Sequence, residues 1–298
     1  MKFEKPPLTF DQQANLLLAR GLVTEKSVLI ARLEVVNYYR LSAYLYPFRE
    51  SDDRLREGTT LDSIWRLYVF DRQLRLLTTD AIERVEVSVR TQLAYHLAHE
   101  HGTFAYLDPN KMPGLTSADH KKWIDELEIE MKRSTEPFIS HFFHKYGDVH
   151  SMPPIWMIAE IMSFGKTLTF FKGVDRKVRQ TVSRVFSVSD EVLLSWLIAL
   201  NGVRNVCAHH GRLWNRELGY RPKIPRERKY PQWHKPVPIA RDRVFGVLTI
   251  LRYMLRVAAP TSKWDTRFRS LISRYPEVPL RPMGFPDNWD SSPLWKTG

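Results

Sequence analysis

TLDSIWRLYVFDRQLRLLTTDAIERVEVSVRTQLAYHLAH, residues 60–99, is the longest periodic stretch of the chain and sets its fold class. Leu61, Ile64, Leu67, Tyr68, Leu74, Leu77, Ile82, Val85, Val89, Leu93 and Leu97 recur on one helical stripe. The stretch holds no Gly or Pro, and Gly102 follows it, so one long helix is expected, with Thr78-Thr79-Asp80 the place where it could kink. On the N-terminal side, residues 51–59 read as a loop, and Pro47 ends a pattern that begins at Asn37. Thr24 and Ser27 can start a helix running to about Val36. Thr9 and Gln12 form a capping box for an earlier helix that Gly21 stops.

On the C-terminal side, helices are expected at 118–133, 136–146, 154–171 and 175–186. Ser189-Asp190-Glu191 is a strong start for a helix from Val192 to about His209, apolar almost all round and therefore expected to be central and buried. Beyond Gly211, Pro222, Pro225, Pro231, Pro236 and Pro238 fall within seventeen residues, which predicts an extended excursion anchored by Trp233. Helices at 241–257 and 263–274 follow, then an irregular proline-rich tail from Tyr275. The reading is all-α, in three regions: N-terminal helices (1–50), a helical core (51–220), and a basic proline-rich excursion with C-terminal helices (221–298).

Composition narrows the function. The chain has 298 residues, 43% of them hydrophobic and 26% charged, with 9 Trp, 12 Tyr and 15 Phe, enough for a sizeable core. One cysteine excludes an intramolecular disulfide framework and a Cys-rich zinc site. The absence of a long apolar run and of a signal-peptide pattern leads to an expectation of a cytoplasmic protein with no membrane contact. Net charge is +12, and residues 204–243 carry eleven Lys and Arg against Glu217, Glu227 and Asp242. Such a concentration suits an anionic partner, whether nucleic acid, anionic lipid or an acidic protein, and the competing reading is solubility alone.

Several motifs fail on spacing. Gly165-Lys166-Thr167 resembles the end of a phosphate-binding loop, but the glycine that loop needs is Glu160. His96, His99 and His101, and His141 with His144, lack a carboxylate or thiolate at ligand spacing, so no metal is expected. No other cofactor is expected either. Cys207 reads as a small buried residue.

One constellation remains, from Asn201 to Arg216. It clusters polar and ionisable groups at the end of the most apolar helix, where burying a charge is costly unless it is paired. Asn205 and His209 share a helix face, and Arg204 lies about 140° around the helix from His209, within reach of a long side chain. Histidine can move a proton near neutral pH and arginine can hold a phosphate. Together they could cleave RNA by helping a 2′-hydroxyl attack its own phosphate. The alternative is a structural C-terminal knot, with Arg and His on helix carbonyls.

Arg204 to His209 fits the Arg-x(4–6)-His signature of HEPN ribonucleases. Longer strings carry more: Leu8–Gln13, Asn37–Tyr44, Phe70–Arg75, Ala81–Glu86, Pro154–Met157, Ser163–Gly165 and Val203–Arg216. Over about residues 5–220 the chain resembles abortive-infection proteins of the AbiD/AbiF type. The resemblance implies a HEPN-like helical bundle and an anti-phage toxin with metal-independent endoribonuclease activity giving 2′,3′-cyclic phosphate ends. It further implies control by a small non-coding RNA and a homodimer facing two motifs across one cleft. Arg204, His209 and Asn205 would be catalytic. His210, Arg212, Arg216, Arg221, Lys223, Arg226, Arg228 and Lys229 are candidate RNA contacts. A non-catalytic module that holds a structured RNA is the competing reading. Arg90 and His96 match the short signature too, but are read as ordinary surface positions of the long helix.

Overall fold

The computed structural model describes Lys2, Glu4 and residues 6–296. Among these residues there are twelve α-helices and no strand, only three isolated β-bridges, so the fold is all-α as expected. The chain forms two compact units, Met1–Leu76 with Arg267–Pro279 and Leu77–Thr266 with Leu280–Gly298.

The first unit begins with α1 (Phe10–Ala19) and α2 (Lys26–Val35), packed through Ala14, Leu17, Leu29 and Leu33. The capping box is present: the Gln12 amide donates to Thr9 Oγ1 (3.2 Å) and the Thr9 amide to Gln12 Oε1 (2.9 Å). Gly21, at φ +95°, takes the left-handed turn that ends α1. Next comes α3 (Tyr38–Leu45), capped by Asn37, whose Oδ1 accepts from the Tyr39 amide at 2.8 Å. The long helix α4 (Leu61–His101) runs unbroken through Thr78–Asp80. Its first half belongs to this unit, its second half to the other. Buried Asp71 accepts from the Tyr44 hydroxyl (2.6 Å) and pairs closely with Arg75 one turn on. Burial, then the Asp71 charge, pushes the Tyr44 hydroxyl pKa well up, so it stays a donor.

The second unit contains α5 (Ser117–Arg133), α6 (Pro137–Tyr146), α7 (Ile155–Ile161), α8 (Phe164–Gly173), α9 (Arg176–Val185), α10 (Asp190–Ala208) and α11 (Val244–Ala258). Only the start of α12 (Trp264–Arg274) belongs to it. The helix expected at 154–171 is two, α7 and α8, because Ser163 adopts the extended backbone of an N-cap. Helix α10 packs on α8, α9 and α11 and buries Leu193, Trp196, Leu197, Leu200 and Val203. The proline-rich excursion is pinned to it: Trp196 Nε1 donates to the Lys223 carbonyl (2.8 Å) and the Lys223 amide to Ser195 Oγ (2.9 Å). Trp233 is fully buried against Trp196 and Tyr253, as an anchor should be. The tail is irregular but packed, with Met283, Phe285, Leu294 and Trp295 buried and Trp295 Nε1 donating to Thr249 Oγ1 at 2.9 Å.

Removing one partner of a buried ion pair strands the other charge. Asp71→Ala is therefore expected to lower the unfolding free energy by about 3–5 kcal/mol in urea denaturation.

Candidate functional site

The end of α10 is built by its backbone before any side chain acts. The His209 amide donates to the Asn205 carbonyl (3.0 Å), the His210 amide to Cys207 (3.1 Å) and the Gly211 amide to Val206 (2.8 Å). The last two bonds make a Schellman stop. The left-handed position of that stop is usually glycine, but here it is His210 at φ +57°. Asn215 repeats the conformation at φ +52°. Between them Leu213 and Trp214 are buried and hold the returning chain. The Arg216 guanidinium Nε donates to the Arg212 carbonyl (2.6 Å), and Nη2 lies against Gly211.

Asn205, His209 and His210 are exposed and Arg204 is half-buried. Arg204 Nη1 donates to Asn205 Oδ1 at 3.3 Å, tying the arginine to its neighbour. The fold thus brings Arg204, Asn205, His209, His210, Arg212 and Arg216 to one end of α10.

The remaining basic positions go elsewhere. Arg221 is exposed and pairs with Glu217 (3.5 Å). Lys223 pairs with Glu191 (3.0 Å) in the first turn of α10, which is about 20 Å from Arg204 at the helical rise. The Lys223 hydrogen bond and charge hold the Glu191 pKa below its ordinary value, and the Arg226 charge adds to that. Arg228 and Lys229 are exposed on the same segment, which Tyr230 ties to the Ser187 carbonyl (2.5 Å).

Two α4 residues complete the surroundings. Arg90 was read from sequence as a surface position; instead it is only 9% exposed. Its Nη1 donates to the Met162 carbonyl (3.1 Å), in the break between α7 and α8, and its Nη2 lies 3.5 Å from Glu160. His96 is half-buried, and burial followed by the charges of His99 and Arg184 lowers its pKa. Glu86 is the residue that sequence reading missed. It is half-buried on α4, and burial raises its carboxyl pKa, while Arg90 and then Arg204 pull it partly back. The available signal was an acid on the apolar stripe of Ile82, Val85 and Val89, four residues before an arginine.

Guanidinium, imidazole and amide at an open helix end can hold an anion and exchange a proton with it. Among the described residues, no group of three His, Cys, Asp or Glu side chains is placed to hold a metal ion, and no single helix is long and apolar enough to cross a membrane.

A family model described as Abi-like protein matches residues 31–215. The chain belongs to this abortive-infection family. No curated protein and no solved structure matches it. The Abi-like span runs through α4–α10 and includes Glu86, Arg90 and the α10 end as far as Asn215, but stops before Arg216 and Arg221. Membership points to an abortive-infection role.

Glu86 also gives a pH test. A carboxyl whose pKa is raised by folding disfavours the folded state once it ionises. Below the ordinary glutamate value near 4.5 that cost is absent, and it is complete above the folded pKa. Glu86→Gln should therefore melt at higher temperature than the parent at pH 7, with the difference vanishing as pH falls below about 4.

Proposed function

We propose that this Abi-like protein is an abortive-infection toxin of the HEPN and AbiD/AbiF type, a cytoplasmic endoribonuclease that needs no metal. The observation that carries the reading is the presentation of Arg204, Asn205 and His209 on the solvent-facing last turns of a helix that is otherwise core. In the reaction, the 2′-oxygen of a ribose attacks the adjacent phosphorus. The P–O5′ bond breaks, leaving a 2′,3′-cyclic phosphate and a 5′-hydroxyl. His209 takes the 2′-hydroxyl proton or returns one to the leaving oxygen. Arg204 holds the non-bridging oxygens as charge builds on them. Asn205 orients Arg204 through their hydrogen bond. Glu86 lies near enough for the Arg204 charge to pull its carboxyl pKa down against the effect of burial.

A single Arg–His pair is sparse for phosphoryl transfer, and a symmetric dimer would face two copies across one cleft. A small non-coding RNA bound on the same basic surface would keep the toxin silent. A second reading, a module that holds RNA without cutting it, is favoured by the basic cluster of Lys223 and Arg226 at the opposite end of α10.

The test is incubation of protein stripped of nucleic acid with labelled RNA in EDTA. The parent should yield 2′,3′-cyclic phosphate ends. Arg204→Ala and His209→Ala should each slow cleavage by about 100-fold or more while keeping the helical circular dichroism spectrum. Cleavage at parental rate by both variants would overturn the site, and stable retention of uncut RNA by the parent would favour the binding module.

A further inference from the structure

Two of the strings behind the family resemblance, Leu8–Gln13 and Asn37–Tyr44, lie outside the α10 site, yet both line one cleft of the first unit. The cleft has a volume of about 570 Å³, in the range of pockets that hold small ligands. Pro7, Leu16, Gln13, Arg20, Tyr38 and Tyr39 are among its walls.

The chemistry of those walls is specific. Tyr39 is 76% exposed, unusual for a large ring with an apolar face. Its ring meets that of Tyr38 edge-on, centroids 5.8 Å apart at 88°, so the two form a right-angled aromatic corner. Arg20 Nη1 donates to the Tyr38 hydroxyl oxygen at 3.1 Å and its Nη2 lies 3.7 Å from Asp53, while the Tyr38 hydroxyl keeps its own proton to donate. Gln13 donates through Nε2 to the Leu8 carbonyl (2.9 Å), but its Oε1 is buried with no donor. An unpaired buried acceptor costs about 1–3 kcal/mol, and an entering N–H group would relieve it.

A flat π-face, a perpendicular ring edge, a guanidinium and an amide oxygen in want of a donor are together the recognition set for an unpaired nucleobase. The ring stacks, the amide accepts from an exocyclic amine, and arginine meets a carbonyl or the adjoining phosphate. An acyl chain offers no flat ring to the Tyr39 face and no donor to the Gln13 oxygen. We propose that this cleft binds one unpaired base of a single-stranded RNA, an anchoring site separate from the Arg204–His209 pair. The inference rests on the RNA reading given above.

The experiment measures binding of a short fluorescein-labelled single-stranded RNA of mixed sequence to the full-length protein, with 4-thiouridine crosslinking of the same RNA. The parent should bind, with crosslinks on Tyr38 or Tyr39. Tyr39→Ala should weaken binding by about tenfold, the loss of one stacked base. Tyr39→Phe, which keeps the ring face, should bind like the parent, and Arg204→Ala should lose cleavage while keeping the crosslinks. Because the Tyr39 side chain is exposed, the melting temperature of its variants should not move, so a fold defect cannot mimic the result. Parental binding that Tyr39→Ala leaves unchanged overturns the cleft and leaves the RNA reading standing. A parent that binds no RNA overturns both.

Discussion

Helix α10 has to be buried because most of its surface is apolar, and its last turns have to emerge because they are not. The second unit is organised around that conflict. Leu193, Trp196, Leu197, Leu200 and Val203 are enclosed with α8, α9 and α11 packed on the helix, and the proline-rich excursion is laid along it through Trp196, Ser195 and Trp233. The chain then turns out through a Schellman stop and is caught again by buried Leu213 and Trp214. Arg204, Asn205, His209 and His210 are thereby fixed on a rigid element at the boundary between core and water, the setting in which charged side chains keep both geometry and reactivity.

Three buried charges follow one rule: each is matched to a group the fold would otherwise leave unsatisfied. Arg90 reaches the carbonyl of Met162, which the break between α7 and α8 frees from helical bonding. Arg252 on α11 meets Asp265 (3.2 Å) and the carbonyls of Leu294 and Lys296, and so fastens an irregular tail to a regular helix. Asp71 joins Arg75 to Tyr44 in the first unit. Glu86 departs from the rule. Its carboxyl pKa is raised by burial in spite of the charges of Arg90 and Arg204.

Much of this was legible in the chain itself, for identifiable reasons. Helix α4 could be read because its period runs without Gly or Pro, and Thr9 and Gln12 announced the start of α1 by local bonds alone. The α10 cluster stood out because polar residues interrupt an apolar run. What escaped were effects of tertiary partners. Ser163 looks like any polar helix residue until its backbone is seen extended as a cap, and Arg90 looks solvated until a carbonyl some seventy residues away accepts from it. The cleft of Gln13, Arg20 and Tyr39 joins strings about twenty-five residues apart that periodicity cannot bring together. The scatter of Lys223 and Arg226 to the far end of α10 is likewise invisible in a charge count.

The central claim is that the end of α10 is shaped for a ligand and not merely for capping, and His210 is where the two demands part. A left-handed backbone costs a non-glycine residue about 1–2 kcal/mol, and glycine would close the same stop without that strain. The direct measurement is the RNA affinity of His210→Gly against the parent at neutral pH, since glycine closes the same stop and removes only the imidazole. Weaker binding with an unchanged helical circular dichroism spectrum is predicted. Parental affinity would contradict the account, because it would mean that the histidine serves the helix end alone.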